Sequence, residues 1–145
     1  MPDNAHLLVI DAPYYKEISA SLLEGAKDVL DEAGATFDYV SVVGVLEIPA
    51  AIAMACSSNR SYDGFIVIGC VIRGETTHYE IVSNESARAL MDLSVQHQLA
   101  LGNGIQTVEN EAQAWARAKK TDKNKGGGAA KAALGMIALK REFES

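Results

Sequence analysis

The apolar run Phe65-Ile66-Val67-Ile68 carries no polar alternation and breaks at Gly69. A strand with that pattern is covered on both faces, as the inner strands of a parallel sheet are. Residues 7–10, Leu-Leu-Val-Ile, repeat the pattern near the start of the chain. Between and after these runs the apolar spacing changes to the helical one. Ile18, Leu22, Ala26, Val29 and Ala33 form one stripe, ended by Gly34. Residues 37–43 are rich in aromatic and β-branched side chains and read as another strand. Pro49 suits the first turn of a short helix that runs to Cys56. Residues 59–64 read as a turn and residues 65–72 as the third strand. A long helix follows through Tyr79, Val82, Ala87, Leu90 and Met91 to about Gln96. Residues 99–107 are a weaker strand interrupted by glycine. Asn110 can cap a helix that reaches Arg117. Residues 119–128 read as a charged, glycine-rich loop, and the final helix buries Ala130, Ala133, Leu134, Ile137 and Ala138.

Strands alternating with helices predict a parallel sheet with helices on both faces. With 145 residues the expectation is a single domain over 1–145. The net charge of −6 argues against nucleic acid or an anionic membrane surface as a partner. The apolar runs are too short to span a bilayer, and no export signal is evident, so the chain reads as cytoplasmic. Cys56 and Cys70 have neither a CxxC partner nor metal-ligand spacing to a histidine, and both read as buried, reduced thiols.

Residues 69–78 read Gly-Cys-Val-Ile-Arg-Gly-Glu-Thr-Thr-His, so the third strand passes through a glycine turn into a helix. In an open α/β sheet, ligands bind at such strand ends. A helix N-terminus offers unpaired N–H groups and a positive dipole end to an anion. His78, at the start of that helix, can exchange protons near neutral pH. By position alone, a histidine at a helix start is more often structural than functional.

Three segments together resemble the lumazine synthase family: Gly44-Val-Leu-Glu-Ile-Pro49, Gly69-Cys-Val-Ile-Arg-Gly-Glu-Thr-Thr-His-Tyr79 and Asn124-Lys-Gly126. The resemblance covers nearly the whole chain in order and spacing. It implies a flavodoxin-like three-layer α/β/α fold on a four-stranded parallel sheet. It implies a homopentamer, with some members closing into sixty-subunit shells, and two small-molecule substrates. These are a ribitylaminopyrimidine and a phosphorylated four-carbon ketone, with inorganic phosphate as a product. It implies no cofactor and no metal.

Residue by residue, the resemblance makes His78 the proton-transfer group. It places the substrate phosphate on the backbone N–H groups of Glu75 and Thr76, closed over by Arg117. A guanidinium suits that task because it can give two parallel hydrogen bonds. Tyr14 falls where an aromatic ring stacks on the pyrimidine, with the adjacent Tyr15 as the other candidate for that position. Val45, Leu46 and Glu47 match the loop that holds the ribityl chain. Cys70, Val71 and Ile72 match the strand end that reads the pyrimidine edge, and Lys125 matches a lysine near the ring. Asn103, in Gly-Asn-Gly, is a departure, because many members place an aromatic there from the neighbouring subunit. That departure leaves a pentamer-forming isoform with weak or no synthase activity as the alternative. The stretch 119–125 lacks the glycines for a sharp bend between the last two helices, which favours a free pentamer over a shell.

Overall fold

The computed structural model describes residues 2–145. The elements are β1 (His6–Ala12), α1 (Lys16–Glu32), β2 (Thr36–Ser41), a 3-10 turn (Val45–Glu47), α2 (Ile48–Cys56), β3 (Gly64–Ile72), α3 (His78–His97), β4 (Leu101–Val108), α4 (Glu111–Ala118) and α5 (Lys125–Glu144). The sheet is four-stranded and wholly parallel, in the order β2-β1-β3-β4. Helices α1, α4 and α5 cover one face through Leu22, Ala26, Ala114, Ala130 and Leu134. Helices α2 and α3 cover the other through Ile48, Ile52, Val82 and Leu90. This is the three-layer, flavodoxin-like architecture.

The two unbroken apolar runs are the two inner strands. In β1 every residue after His6 is buried, and in β3 every residue before Ile72 is. The order of the strands reverses between β1 and β3, and ligands collect outside the strand ends at such a switch point. No helix is long and apolar enough to cross a membrane among the described residues.

Four readings change in the structure. Gly126, Gly127 and Gly128 are not loop but the first turn of α5, which Asn124 caps by accepting the N–H of Gly127 at 3.2 Å. Small size, not flexibility, is what the first two supply. A Cβ on Gly126 would lie 1.9 Å from the backbone oxygen of Leu22, and one on Gly127 would meet the Asn124 side chain. Cys56 is exposed, because α2 turns only Ile48 and Ile52 inward. Ala138 is exposed on α5, as are Ala87 and Met91 on α3. The fourth strand is continuous across its glycines, since Gly102 and Gly104 let α5 approach the sheet at Ala129.

One buried carboxyl stands out at the end of β1. Asp11 is 2% exposed, accepts the Tyr39 hydroxyl at 2.7 Å through Oδ2, and has no partner for Oδ1 among the described residues. Burial raises its pKa above the usual carboxylate value; Tyr39 and the nearby Ser19 hydroxyl pull the other way. Burial, and then the bond to Asp11, push the Tyr39 phenol up to about 12. A carboxyl whose folded pKa exceeds its unfolded value of about 3.9 lowers stability as pH rises through that interval. The loss persists at neutral pH. Asp11→Asn keeps an acceptor for Tyr39 and removes the charge. Its melting temperature should exceed that of the wild type at pH 7, and the gap should close as pH falls towards 4. A gap that is absent at pH 7, or that widens in acid, contradicts this account.

Candidate active site

The chain leaves β1 through Ala12 and Pro13 into Tyr14 and Tyr15, whose rings meet edge to face at 4.9 Å. It leaves β2 through residues 42–44 into the 3-10 turn, and it leaves β3 through residues 73–77 into α3. These three exits enclose a cavity of about 380 Å³. That volume suits a small-molecule ligand. Tyr14, Tyr15, residues 44–47, Cys70, Val71, Ile72, His78 and Val82 line it. Gly69 lets the turn close on the strand, because a Cβ there would lie 2.8 Å from the Val45 side chain.

Nine of the residues singled out from the sequence therefore meet in one cavity: Tyr14, Tyr15, Val45, Leu46, Glu47, Cys70, Val71, Ile72 and His78. The structure adds Gly44 and Val82. Val82 was legible as the residue one helical turn after His78 and on the same side. Tyr14 is 75% exposed, so one ring face is open. Burial pushes the Cys70 thiol up to about 11, so at neutral pH it is an uncharged cavity wall and not a nucleophile.

Glu75 and Thr76 lie on the exposed loop beside the cavity. Among the described residues, the backbone N–H groups of 74–77 find no acceptor in the fold. Thr76 Oγ1 accepts the N–H of His78 at 3.3 Å. Gly74 has no neighbour within 4 Å of where a Cβ would stand, so the loop is open at that point.

Asn103, Arg117 and Lys125 are not in the cavity. The fold gives the reason for Arg117. Its helix α4 packs with α1 on one face of the sheet, and His78 opens α3 on the other. Arg117 is half-buried, gives one hydrogen bond to the Gln113 carbonyl at 3.0 Å and has no carboxylate partner among the described residues. Lys125 is exposed at the first position of α5. Asn103 is an exposed strand residue, not a turn residue, and its Oδ1 accepts the N–H of Ile105 at 2.9 Å.

Comparison with known proteins assigns the family. The sequence profile of 6,7-dimethyl-8-ribityllumazine synthase matches residues 4–141. This chain belongs to that family. It is 59% identical over 143 residues to the 6,7-dimethyl-8-ribityllumazine synthase of Bartonella tribocorum, covering 99% of this chain and 95% of that protein. The Agrobacterium fabrum enzyme of the same name is 59% identical over 142 residues, covering 95% and 96% of the two chains. A similar relation holds to 6,7-dimethyl-8-ribityllumazine synthase 1 of Rhizobium meliloti, at 59% over 142 residues, with 95% and 93% covered. The lumazine synthase match takes in all the cavity residues named above.

Proposed function

We propose that this protein condenses 5-amino-6-(D-ribitylamino)uracil with 3,4-dihydroxy-2-butanone 4-phosphate. The product is 6,7-dimethyl-8-ribityllumazine, with release of phosphate and water. The observation that carries the reading is the family membership together with one cavity that brings Glu47 and His78 to the ends of β2 and β3.

Each group has a task that its chemistry suits. The open face of Tyr14 stacks on the pyrimidine. Glu47 accepts hydrogen bonds from the ribityl hydroxyls. Cys70, Val71 and Ile72 give the strand-end wall that the pyrimidine edge meets. The free N–H groups at Glu75 and Thr76 face the phosphate at the positive end of α3. Arg117 and Lys125 of a neighbouring copy complete the site, with Asn103 on that same wall. The 5-amino group attacks the ketone carbon and water leaves, giving an imine. Phosphate leaves by β-elimination, and the enol becomes a ketone. The ribityl-bearing nitrogen closes the ring with loss of a second water. His78 moves protons in these steps, and holding two reactants together supplies much of the rate.

The reading includes a ring of five chains in the cytoplasm. Its support is α3, whose 20 residues bury only Val82, Ser86 and Leu90 and leave Ile81, Met91 and Val95 outward in the single chain. The relatives that carry the name 6,7-dimethyl-8-ribityllumazine synthase support the enzyme over an isoform without activity. Incubating the protein with both substrates tests the function. One phosphate and one lumazine should form per pyrimidine consumed, measured by phosphate assay and mass spectrometry. Unchanged substrates with a folded protein overturn it.

A further inference from the structure

Thr77-His78-Tyr79-Glu80 has the pattern of a capping box, in which the glutamate three residues after the cap reaches back to the cap residue's N–H. The structure does not form it. Thr77 makes no side-chain capping bond, and its backbone (φ −79°, ψ 4°) is not the extended form that a capping residue adopts. Glu80 turns instead to the Arg73 guanidinium. Arg73 also binds Glu109 Oε2 at 2.6 Å through Nε, lies over the Tyr79 ring at 4.4 Å, and is anchored by its N–H to the Val108 carbonyl at 2.9 Å. It is thus fixed at four points, two on α3 and two at the end of β4. The second carboxylate oxygen of Glu80 is buried without a partner. The sequence thus offers a local cap, but its glutamate lies on Arg73 and against its own backbone N–H instead.

We propose that Arg73 is a positioning residue that keeps the start of α3 uncapped for the phosphorylated substrate, by holding Glu80 away from the Thr77 N–H. The proposal rests on the reading that residues 75–76 face the phosphate. Without Arg73, Glu80 folds back onto the helix end and competes with the substrate for it. Arg73 itself is not assigned as the phosphate ligand, because the two carboxylates on its Nε and Nη1 offset its charge towards an anion.

The test is a cycle of Arg73→Gln, Glu80→Ala and the double variant. Arg73→Gln should raise KM for the phosphorylated ketone roughly tenfold and leave KM for the pyrimidine within about twofold. Glu80→Ala alone should change neither KM by more than about twofold, yet in the double variant it should bring the phosphate-side KM back to within about threefold of wild type. Simple charge effects behave differently. They are additive, so Glu80→Ala alone would tighten binding by the factor it recovers in the double variant. An additive cycle, or a double variant as weak as Arg73→Gln, overturns the proposal. Where Arg73→Gln does not fold, Arg73→Lys keeps the charge, cannot bridge two carboxylates, and replaces it in the cycle. Calorimetric titration with inorganic phosphate repeats the comparison without turnover. A wild type that binds phosphate but forms no product defeats the proposed function, while the cycle on phosphate still decides the role of Arg73.

Discussion

Mixing His78→Ala chains with Arg117→Ala chains will restore activity that neither has alone. Each variant should lose most of its turnover, since one lacks the proton-transfer group and the other the guanidinium proposed for the phosphate. Within one chain these residues sit on helices that cover opposite faces of the sheet, and Arg117 does not line the His78 cavity. A complete site on this reading takes His78 from one copy and Arg117 from the next, as a head-to-tail ring allows. Random co-assembly of equal amounts then gives about a quarter of the sites both intact halves. Unfolding the two variants together and refolding them, then measuring product, checks this. Mixed rings that stay inactive, while each variant assembles normally, rule out the shared site. The same geometry makes Arg117 separable from the pyrimidine wall, so its loss should raise KM for the phosphorylated ketone far more than for the pyrimidine.

What could be read from the sequence follows the physics of the two inner strands. The β1 and β3 runs are apolar because helices cover them on both sides, so the short unbroken runs locate them, and the switch point between them locates the cavity. His78 lies just beyond the end of β3, and a linear reading finds it, whereas Glu47 and Cys70 enter the site through the resemblance. Arg117, Lys125 and Asn103 rest on resemblance alone, since nothing in spacing reports which face of a sheet a later helix will cover. Cys56 was misread because an all-apolar α2 gives no amphipathic signal. Only the structure separates its inward Ile48 and Ile52 from its outward Ala50 and Met54. The glycine run before the last helix was misread for a related reason. Glycine usually marks a loop, and its use as the only residue small enough for two backbones to touch is set by distant parts of the chain.

That use of glycine predicts the largest stability losses in the molecule. A Cβ on Gly102 would lie 1.9 Å from the backbone oxygen of Ala129, and one on Gly126 would lie 1.9 Å from that of Leu22. Both obstacles are main-chain atoms of packed helices, so relief requires moving α5 off β4 in the first case and off α1 in the second. Overpacking costs about 1–3 kcal/mol where side chains can shift, and the cost is greater where only backbone can. Gly102→Ala and Gly126→Ala should each lower the melting temperature by roughly 10 °C or more, or leave the protein insoluble. Gly128 is the internal control. It follows Gly126 and Gly127 in the same helical turn, is exposed, has no positive φ and, apart from its own helix backbone, has no atom within 4 Å of a new Cβ. Alanine there restricts the unfolded chain at no cost to the fold, so Gly128→Ala should stabilise by about 0.4–1 kcal/mol. Thermal melts of the three variants decide the matter. If Gly102→Ala melts with the wild type, β4 and α5 are not in backbone contact. If Gly128→Ala melts as low as Gly126→Ala, the run acts as a flexible loop after all, because only then would all its glycines be needed alike.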